Sequence, residues 1–356
     1  MAASTDLSTD ERVGRIALSL HNAGYAVRVV GRERMASAPL DAKPYARQRL
    51  SMWFERGPLF YAELNIRLVI ELIHIKAGIL VANDMDTLPA MALIAWVRRL
   101  QLVFDAHEYF SQVPELQHKP IVRRFWEVLE RRLIPHANLC YTVGPALAER
   151  FTALYGKPFA SIKNVPGTAV IPSPLKSRTP RHIIYVGALN KGRGLEALLH
   201  ALHRLPRYTA TLVGYGDIEA QLHQLAKELN LQTRVQFTGK LTRGEYLPLL
   251  AQASIGYSLL QPIGLSYTYS LSNKFFEYLA AGLPQLYPNL PEYERIAESY
   301  TVGQALPASA DAIVEALRAF DDPVAYESMV SNSLKLSQQH TWAEEEKKLL
   351  ALYASV

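Results

Sequence analysis

The chain has 356 residues, and its 49% apolar and 20% charged content is that of an ordinary globular protein. This length predicts two domains, each large enough to bury its own core. The composition excludes several classes of protein. No apolar run approaches the roughly 20 residues of a membrane-spanning helix, and residues 1–20 lack the apolar core of a signal peptide. A lone cysteine, Cys140, cannot form an internal disulfide, which favours a reducing cytoplasm.

The net charge of +5 is unevenly distributed along the sequence. Residues 1–180 contain 23 Lys and Arg against 16 Asp and Glu, giving +7, whereas residues 181–356 contain 15 against 17, giving −2. A basic first half favours an anionic partner, such as a phospholipid surface or a phosphorylated acceptor, rather than nucleic acid. We therefore expect a cytoplasmic protein that associates peripherally with the inner face of a membrane.

The first half alternates predicted helices and strands. A helix over Val13–Leu20 ends at Gly24, and a buried strand follows at Ala26–Val30. In a parallel α/β sheet, the polar loop at 6–12 should follow a strand, yet only Met1–Thr5 precedes it. The sequence thus predicts that the first strand is short or absent. Residues 43–67 mix aromatic side chains with arginines, which is typical of an interface with anionic head groups. The alternative, an aromatic segment packed on the core with solvated arginines, is the interpretation that we favour.

Two polar clusters follow predicted strands in this half. Asn83–Asp86 comes directly after a strand over Ile79–Ala82, and Asp105–Glu108 after one over Leu102–Phe104. Open α/β sheets bind ligands at the carboxyl ends of their strands, so we expect a site here. The Asp84 and Asp86 pair resembles a metal-binding motif, but this spacing is common by chance. No second histidine or cysteine lies at ligand spacing from His107, so we predict no metal site.

The second half contains three glycine-bearing turns, each after a predicted strand. They begin at Gly187, Gly214 and Gly239, after strands over Ile183–Val186, Thr209–Val213 and Val235–Phe237. Such turns let a phosphate or base approach the backbone. None has the dinucleotide G-x-G-x-x-G pattern, and no P-loop occurs. Each turn alone is better explained as structural. Three of them at one sheet edge, with Arg193 and Lys274, predict a nucleotide site.

The alternation of strands and helices in both halves predicts an α/β fold with two doubly wound, Rossmann-like domains. A proline-rich linker begins at Asn164. We predict domains at 1–165 and 166–340, and a C-terminal helix at 341–356 that crosses back to the first domain.

One short stretch, Ser272–Pro284, carries the clearest local signal. Ser272 or Asn273 can cap a helix start, apolar residues follow at helical spacing, and Gly282 and Pro284 end the helix. Lys274 then lies at a helix N-terminus, a position that suits a diphosphate, and Glu277 lies one turn further in, where it can accept from sugar or ribose hydroxyls. The alternative is an ordinary capped helix.

Several of these segments together resemble glycosyltransferases of the two-Rossmann GT-B architecture, similar to the retaining enzymes of family 4. The motifs that carry the resemblance are DLSTDERVGRIALSLHNAGYAV at 6–27, NDMDTL at 83–88, FDAHEYF at 104–110, YVGALNKGRGLEALL at 185–199, LVGYGD at 212–217, VQFTG at 235–239 and SNKFFEYLAAGLP at 272–284. They span nearly the whole chain. The resemblance implies two domains facing each other across a cleft, a sugar-nucleotide donor bound by the second domain and an acceptor bound by the first. It also implies metal-independent transfer with retention, and no cofactor besides the donor substrate. The acceptor implied is a glycan or lipid-linked glycan, in cell-surface polysaccharide or glycolipid synthesis.

The resemblance also implies residue roles. Glu277 matches the family's second glutamate, which holds the donor ribose, and Arg193 stands where a lysine binds the diphosphate. His107 matches the histidine near the transferred sugar. Gly187 matches the turn beside the phosphates, and Gly239 and Lys240 match the loop beside the base. Together with the glycine turns and the helix start, this predicts a nucleotide site lined by Gly187, Gly194, Gly214, Gly216, Gly239, Lys240 and Asn273. With Lys274 helping to neutralise the phosphates, the predicted catalytic set is His107, Arg193, Lys274 and Glu277.

Two positions depart from the family's pattern. Its first glutamate corresponds to Tyr269, and the arginine after the first glycine of the donor domain corresponds to Ala188. We expect Lys274 to replace the missing charge at Ala188. These departures leave two other functions open: a sugar-nucleotide epimerase of the same architecture, and a catalytically silent nucleotide-sugar-binding subunit.

Overall fold

The computed structural model describes residues 1–8, 10–34, 37, 39–167, 170, 172 and 174–356. Parts of the predicted linker, at 168, 169, 171 and 173, lie outside the described residues. The chain divides into two compact units. Unit 1 comprises Met1–Asn164, Gly264–Ser270 and Ala343–Val356, and unit 2 comprises Val165–Ile263 and Leu271–Trp342. The segment Gly264–Ser270 thus lies in unit 1, although it falls within the range predicted for the second domain.

Unit 1 is built on parallel strands with helices between them. In chain order its first part contains α1 (Glu11–Asn22), β1 (Arg28–Arg32), β2 (Ala46–Leu50), α2 (Pro58–Leu72), β3 (Ile79–Asn83), α3 (Leu88–Arg98), β4 (Gln101–Ala106), α4 (Pro120–Leu133), β5 (Leu139–Thr142), α5 (Pro145–Tyr155) and β6 (Phe159–Ser161). Short 3₁₀ turns lie at Phe110–Gln112, Pro114–Leu116 and Ile134–His136. Strands β3 to β6 pair in chain order, and β1 pairs with β2, all in parallel.

The first residues of the chain occupy the position of a first strand. Ala2 forms parallel bridges to Val30 of β1 and to Ala82 of β3. Its amide donates to the carbonyl of Val81, 2.8 Å away, and its carbonyl accepts from the amide of Asn83. The sequence predicts a first strand that is short or absent, and the structure has isolated bridges at Ala2 in this position. With this segment counted as the first strand, the spatial order is 3-2-1-4-5-6-7, and the loop into α1 follows a strand as a Rossmann-like sheet requires.

Unit 2 contains a six-stranded parallel sheet in the order β12-β11-β10-β7-β8-β9. Its elements are β7 (His182–Val186), α6 (Leu195–Arg204), β8 (Thr209–Val213), α7 (Glu219–Glu228), β9 (Val235–Gly239), α8 (Arg243–Gln252), β10 (Ile255–Tyr257), α10 (Asn273–Ala280), β11 (Gln285–Pro288), α11 (Pro291–Ala297), β12 (Gly303–Leu306), α12 (Ala310–Arg318) and α13 (Pro323–Gln339), with a 3₁₀ turn at Leu175–Ser177. Read from β9, the order is 3-2-1-4-5-6, the doubly wound arrangement. The chain reverses direction across the sheet between β7 and β10, which is where such sheets bind ligands.

Two later segments complete unit 1: α9 (Gly264–Thr268) and most of α14 (Trp342–Tyr353). The hydroxyl of Tyr353 lies 3.2 Å from that of Tyr141 on β5, and Tyr353 packs edge-on against Tyr25. The carboxylate of Glu345 accepts from the amide of Lys163, 2.9 Å away. Helix α14 therefore packs within unit 1. Among the described residues, no helix combines the length and apolar character that crossing a bilayer requires.

Candidate functional site

Three of the predicted glycines lie side by side at the carboxyl edge of the unit 2 sheet. Gly187, Gly214 and Gly239 follow or end β7, β8 and β9. The amide of Gly214 donates to the carbonyl of Gly239, 2.8 Å away, and the amide of Gly187 to that of Val213, 2.9 Å away. A Cβ on Gly214 would lie only 1.9 Å from the carbonyl oxygen of Gly187. Glycine at 214 is thus required for the strand ends to approach each other, whereas Gly239, at φ +70° with open space around it, serves the turn.

Lys274 extends from α10 to the first of these glycines. A Cβ built on Gly187 would lie 3.1 Å from both Cε and Nζ of Lys274. The ammonium also lies over the ring of Tyr185, 4.7 Å from its centroid. Burial lowers the pKa of Lys274 to about 7, and the charge of Arg193 lowers it as well, whereas Glu277 raises it. Because α10 follows β10 and Gly187 follows β7, this cation lies where the sheet order reverses.

Arg193 belongs to the turn between β7 and α6. Its guanidinium is close enough to Lys274 for the two positive charges to interact. Gly192, at φ +84°, and Gly194, at φ +67°, flank it in left-handed conformations. A Cβ on Gly194 would come within 2.8 Å of the Tyr257 hydroxyl, so this glycine is explained by packing at the start of α6. Two cations therefore converge beside the carboxyl end of β7, and a diphosphate is the kind of ligand that would neutralise both.

The short helix α10 has the predicted boundaries. Ser272 is its N-cap residue, but its side chain makes no capping hydrogen bond, and Asn273 is exposed in the first turn. At the other end, the amide of Gly282 donates to the carbonyl of Leu279 and the amide of Leu283 to that of Tyr278. With Gly282 at φ +61°, this is a Schellman motif, so Gly282 ends the helix as predicted.

Glu277 is buried, and two side chains from α8 hold its carboxylate. Its Oε1 accepts from the hydroxyl of Tyr246, 2.9 Å away, and from Nε of Arg243, 3.3 Å away. The sequence analysis did not identify Arg243 or Tyr246. They lie one helical turn apart on α8, and this spacing could have indicated that both side chains contact the same group.

Two predicted residues of the nucleotide site lie toward its rim. Lys240 is exposed, with its ammonium 5.8 Å from the ring centroid of Tyr215. Gly216 packs against the turn after β7, because a Cβ there would lie 2.4 Å from Oδ1 of Asn190. Lys240 thus remains available to a ligand, whereas glycine at 216 is required by packing.

His107 follows β4 in unit 1, and carboxylates contact both of its ring nitrogens. Nδ1 lies 3.0 Å from Asp84, and Nε2 lies 3.1 Å from Asp105. Asp105 is itself paired with the buried Arg12, at 2.7 Å. Burial opposes the charged imidazolium, but the two carboxylates raise the pKa of His107 well above its usual value. The residue is therefore a cation held at the carboxyl edge of this sheet.

The Asp84 and Asp86 pair does not converge on one point. Asp84, at φ +63°, directs its carboxylate to His107, whereas Asp86 is buried, and burial and the charge of Asp84 raise its pKa to about 7. Within the described ranges, no group of three or more histidine, cysteine, aspartate or glutamate side chains could hold a metal ion.

The two positions that depart from the family's pattern lie in different units. Ala188 is exposed directly after Gly187, and its carbonyl accepts from the hydroxyl of Tyr185, 2.6 Å away. Tyr269 lies in Gly264–Ser270 and packs against the core of unit 1. An arginine at 188 would therefore extend from the turn beside Gly187.

Sequence profiles of two domain families match this chain. Residues 9–167 match the glycosyl transferase 4-like domain, and residues 180–320 match the glycosyl transferases group 1. The chain belongs to the family 4-like glycosyltransferases. No curated protein matches it in sequence.

Solved structures resemble this glycosyltransferase over nearly its whole length. Sucrose-phosphate synthase from Thermosynechococcus elongatus aligns with a TM-score of 0.76 at 19% identity, covering 96% of this chain and 92% of that chain. HepE of Anabaena, in complex with UDP and glucose, aligns with a TM-score of 0.76 at 16% identity, covering 100% and 98%. The lipopolysaccharide outer core galactosyltransferase WaaB aligns with a TM-score of 0.69 at 12% identity, covering 100% and 98%. These matches establish the GT-B fold, with its two Rossmann-like domains.

Proposed function

We propose that this glycosyltransferase moves a hexosyl group from a nucleoside-diphosphate sugar to an acceptor hydroxyl, with retention and without a metal ion. The observation that carries the proposal is the position of Lys274, whose ammonium lies against Gly187 at the reversal of the unit 2 sheet, near Arg193. Parallel sheets bind ligands at this point, and two cations match the charge of a diphosphate. The proposed reaction needs the sugar-nucleotide donor and the acceptor, and no further cofactor.

In the proposed reaction, the bond between the anomeric carbon and the diphosphate oxygen breaks while the acceptor oxygen bonds to that carbon from the same face. The acceptor proton passes to the departing phosphate. Arg193 and Lys274 stabilise the charge that develops on the leaving group, which is where preorganised cations accelerate a reaction most. Glu277 accepts from the ribose hydroxyls, and His107 contributes a positive charge on the acceptor domain.

The donor and acceptor classes are proposed by analogy. HepE has been solved with UDP-glucose, so a uridine-based donor is the first candidate. WaaB is a galactosyltransferase of the lipopolysaccharide outer core, which supports a glycan or lipid-linked glycan as acceptor and a role in cell-surface polysaccharide or glycolipid synthesis.

A two-step experiment tests this function. A thermal-shift screen across nucleoside-diphosphate sugars identifies the donor, because a ligand that binds the native state raises the unfolding midpoint. The stabilising donor is then incubated with the protein, with and without EDTA, and the products are followed by NMR. We expect slow release of the nucleoside diphosphate and an α-configured sugar from an α-configured donor, unchanged by EDTA. An altered sugar nucleotide would instead identify an epimerase, and an unchanged donor would identify a silent binding subunit. Loss of activity in EDTA would contradict the metal-independent mechanism.

A further inference from the structure

Most of the exposed large apolar side chains among the described residues lie in unit 1, several of them on three of its helices. On α2, Ile66 and Ile70 are 60% and 69% exposed, and on α3 Trp96 is 79% exposed beside Leu93. On α4, Ile121 and Phe125 are 86% and 57% exposed. We call these six residues, Ile66, Ile70, Leu93, Trp96, Ile121 and Phe125, the α2–α4 surface. Single exposed apolar residues are normal, but a group on adjacent elements marks an interaction site.

The three helices lie next to one another. Helix α3 contacts both α2 and α4, and all three bury their opposite sides in one core cluster. The exposed residues follow helical spacing within each helix: 66 and 70 on α2, 93 and 96 on α3, and 121 and 125 on α4. Each helix thus presents an outward apolar stripe in addition to the inward one that folding uses.

The carboxylates of these three helices are buried or ion-paired. Glu63 and Glu130 are buried, where backbone amides and the side chains of neighbouring residues bind them. Glu71 pairs with Arg28, and Glu127 pairs with Arg123 and Arg124. Helix α3 contains no acidic residue. Among the described residues of the three helices, therefore, every carboxylate is either buried or ion-paired.

Basic side chains, in contrast, are exposed around this surface. Lys76 and Arg99 follow α2 and α3, and Arg131 and Arg132 lie in the last turn of α4. Each helix connects two parallel strands and so runs back from the carboxyl edge of the sheet, which places these four cations near the opposite edge.

We propose that the α2–α4 surface binds an anionic lipid bilayer, with the apolar side chains inserted among the acyl chains and the basic residues at the phosphates. Large apolar residues on helices that also carry exposed cations, and whose carboxylates are buried or ion-paired, are the features of a protein that lies in a charged membrane interface. Tryptophan is favoured at that depth, and arginine extends its charge to the head groups. A protein partner of this unit would instead be expected to pair with charges of both signs.

This surface overlaps the segment that the sequence analysis considered only in the first part of α2, where it includes Ile66. In residues 43–67, Tyr45 and Phe60 are buried, and Arg47 and Arg49 are ion-paired to Asp41 and Asp6. Trp53 in the same segment is 83% exposed. The segment therefore packs only partly on the core, and these two arginines are ion-paired rather than solvated. The membrane proposal therefore rests on α2 to α4.

Co-sedimentation of the full chain with vesicles tests the proposal without any donor or acceptor. We expect binding to vesicles that contain phosphatidylglycerol, reversal at high salt, and little binding to pure phosphatidylcholine. The double variant Trp96→Ser, Ile70→Ser should weaken vesicle binding about tenfold or more, because it removes apolar area that the bilayer would bury. The double variant Arg131→Glu, Arg132→Glu should weaken binding by a similar factor, because it replaces attraction to the lipid phosphates with repulsion. The controls are Val324→Ser, an exposed apolar residue of unit 2, and Arg207→Glu with Lys227→Glu, which changes net charge equally.

Three outcomes would overturn the proposal. In the first, the parent binds neutral and anionic vesicles equally, or binds neither. In the second, the control variants lose binding as strongly as the α2–α4 variants. Alternatively, sedimentation velocity could show a dimer that Trp96→Ser dissociates, in which case a second copy of the chain occupies this surface. Circular dichroism and the unfolding midpoint of each variant establish that it is folded. None of these measurements depends on transferase activity, so failure here leaves the proposed function standing.

Discussion

The ammonium of Lys274 lies over the ring of Tyr185, 4.7 Å from its centroid, beside the glycine that ends β7. An aromatic face attracts a cation without neutralising its charge. Within the part of the chain that the structure describes, Nζ of Lys274 makes no hydrogen bond or ion pair. The site therefore holds a lysine amino group in place whose hydrogen-bonding capacity remains unused, and this is the basis of the first two predictions.

We expect Lys274→Ala to weaken nucleoside diphosphate binding about tenfold or more, because a charge-assisted hydrogen bond is worth roughly 1.5–3 kcal/mol. Turnover should fall as well. Adding Ala188→Arg to this variant should restore part of both, since residue 188 follows Gly187 directly. Calorimetry and product release measure the two effects. Lys191→Ala removes an exposed lysine from the same turn and is the matched control. If Lys274→Ala binds the nucleoside diphosphate as tightly as the parent does, Lys274 does not contact the phosphates.

The lowered pKa of Lys274 predicts proton uptake on donor binding. With a pKa of about 7, the free side chain is mostly neutral at pH 8, and a bound diphosphate favours its charged form. Calorimetry at pH 8 in two buffers of different ionisation enthalpy should therefore show uptake of up to about one proton. Lys274→Arg keeps its charge at this pH and should abolish the uptake. Equal uptake by parent and variant would place the titrating group elsewhere.

Arg193→Ala should lower kcat about 100-fold while leaving the unfolding midpoint close to that of the parent. A preorganised cation at the leaving group acts mainly on the transition state, and loss of one such group costs a few kcal/mol. Kinetics with the identified donor measure the effect. Lys240→Ala, on the exposed rim, should change turnover far less. A kcat within a few-fold of the parent would contradict the role of Arg193.

Glu277→Gln should weaken donor binding more than it destabilises the fold. The carboxylate accepts from Tyr246 and Arg243, and an amide in its place presents a donor where only acceptors suit ribose hydroxyls. Tyr246→Phe should weaken donor binding by a smaller factor, because the Glu277 carboxylate then loses the hydroxyl that positions it. Glu245→Gln, on the exposed side of α8, is the control. If only the unfolding free energy changes, Glu277 is a structural residue.

The raised pKa of His107 predicts a pH-dependent contribution to stability. Since folding favours the protonated ring, the stabilisation is complete below about pH 6.5, the ordinary histidine value, and declines as the pH rises through the native pKa. The unfolding free energy of the parent should therefore exceed that of His107→Gln most at pH 6 and less at pH 9. Urea titrations at both values measure the difference. A gap that widens with pH would contradict a protonated His107.

Much of the fold could be predicted because the relevant signals are local. The strand over Thr209–Val213 has the predicted bounds, and the Gly282 termination is as expected, since apolar runs and a left-handed glycine are determined by neighbouring residues. Strand β2 and helix α9 were missed. Four of the five side chains in β2 are polar or small, and α9 has only five residues, so neither carries a recognisable period.

The candidate site was predictable only where a motif carried it. The structure brings Lys274 to Gly187, two residues that the sequence analysis assigned to one site, because both lie at the ends of elements whose order the sequence indicates. The partners of Glu277 and Asp105 were not predicted, since Arg243 and Glu277 are 34 residues apart, and Arg12 and Asp105 are 93 apart. Pairing at such separations depends on the completed sheet, which local periodicity does not encode.

The return of α14 to unit 1 has a consequence for how the protein is made. Unit 1 needs residues 343–356 as well as its first 164, whereas unit 2 lies entirely between them. During synthesis, the segments of unit 2 leave the ribosome before Tyr353 can reach Tyr141. N-terminal domains usually finish folding first. Here unit 1 can complete its fold only after unit 2 has been synthesised. Unit 1, whose first segment is translated first, therefore stays incomplete until unit 2 has emerged.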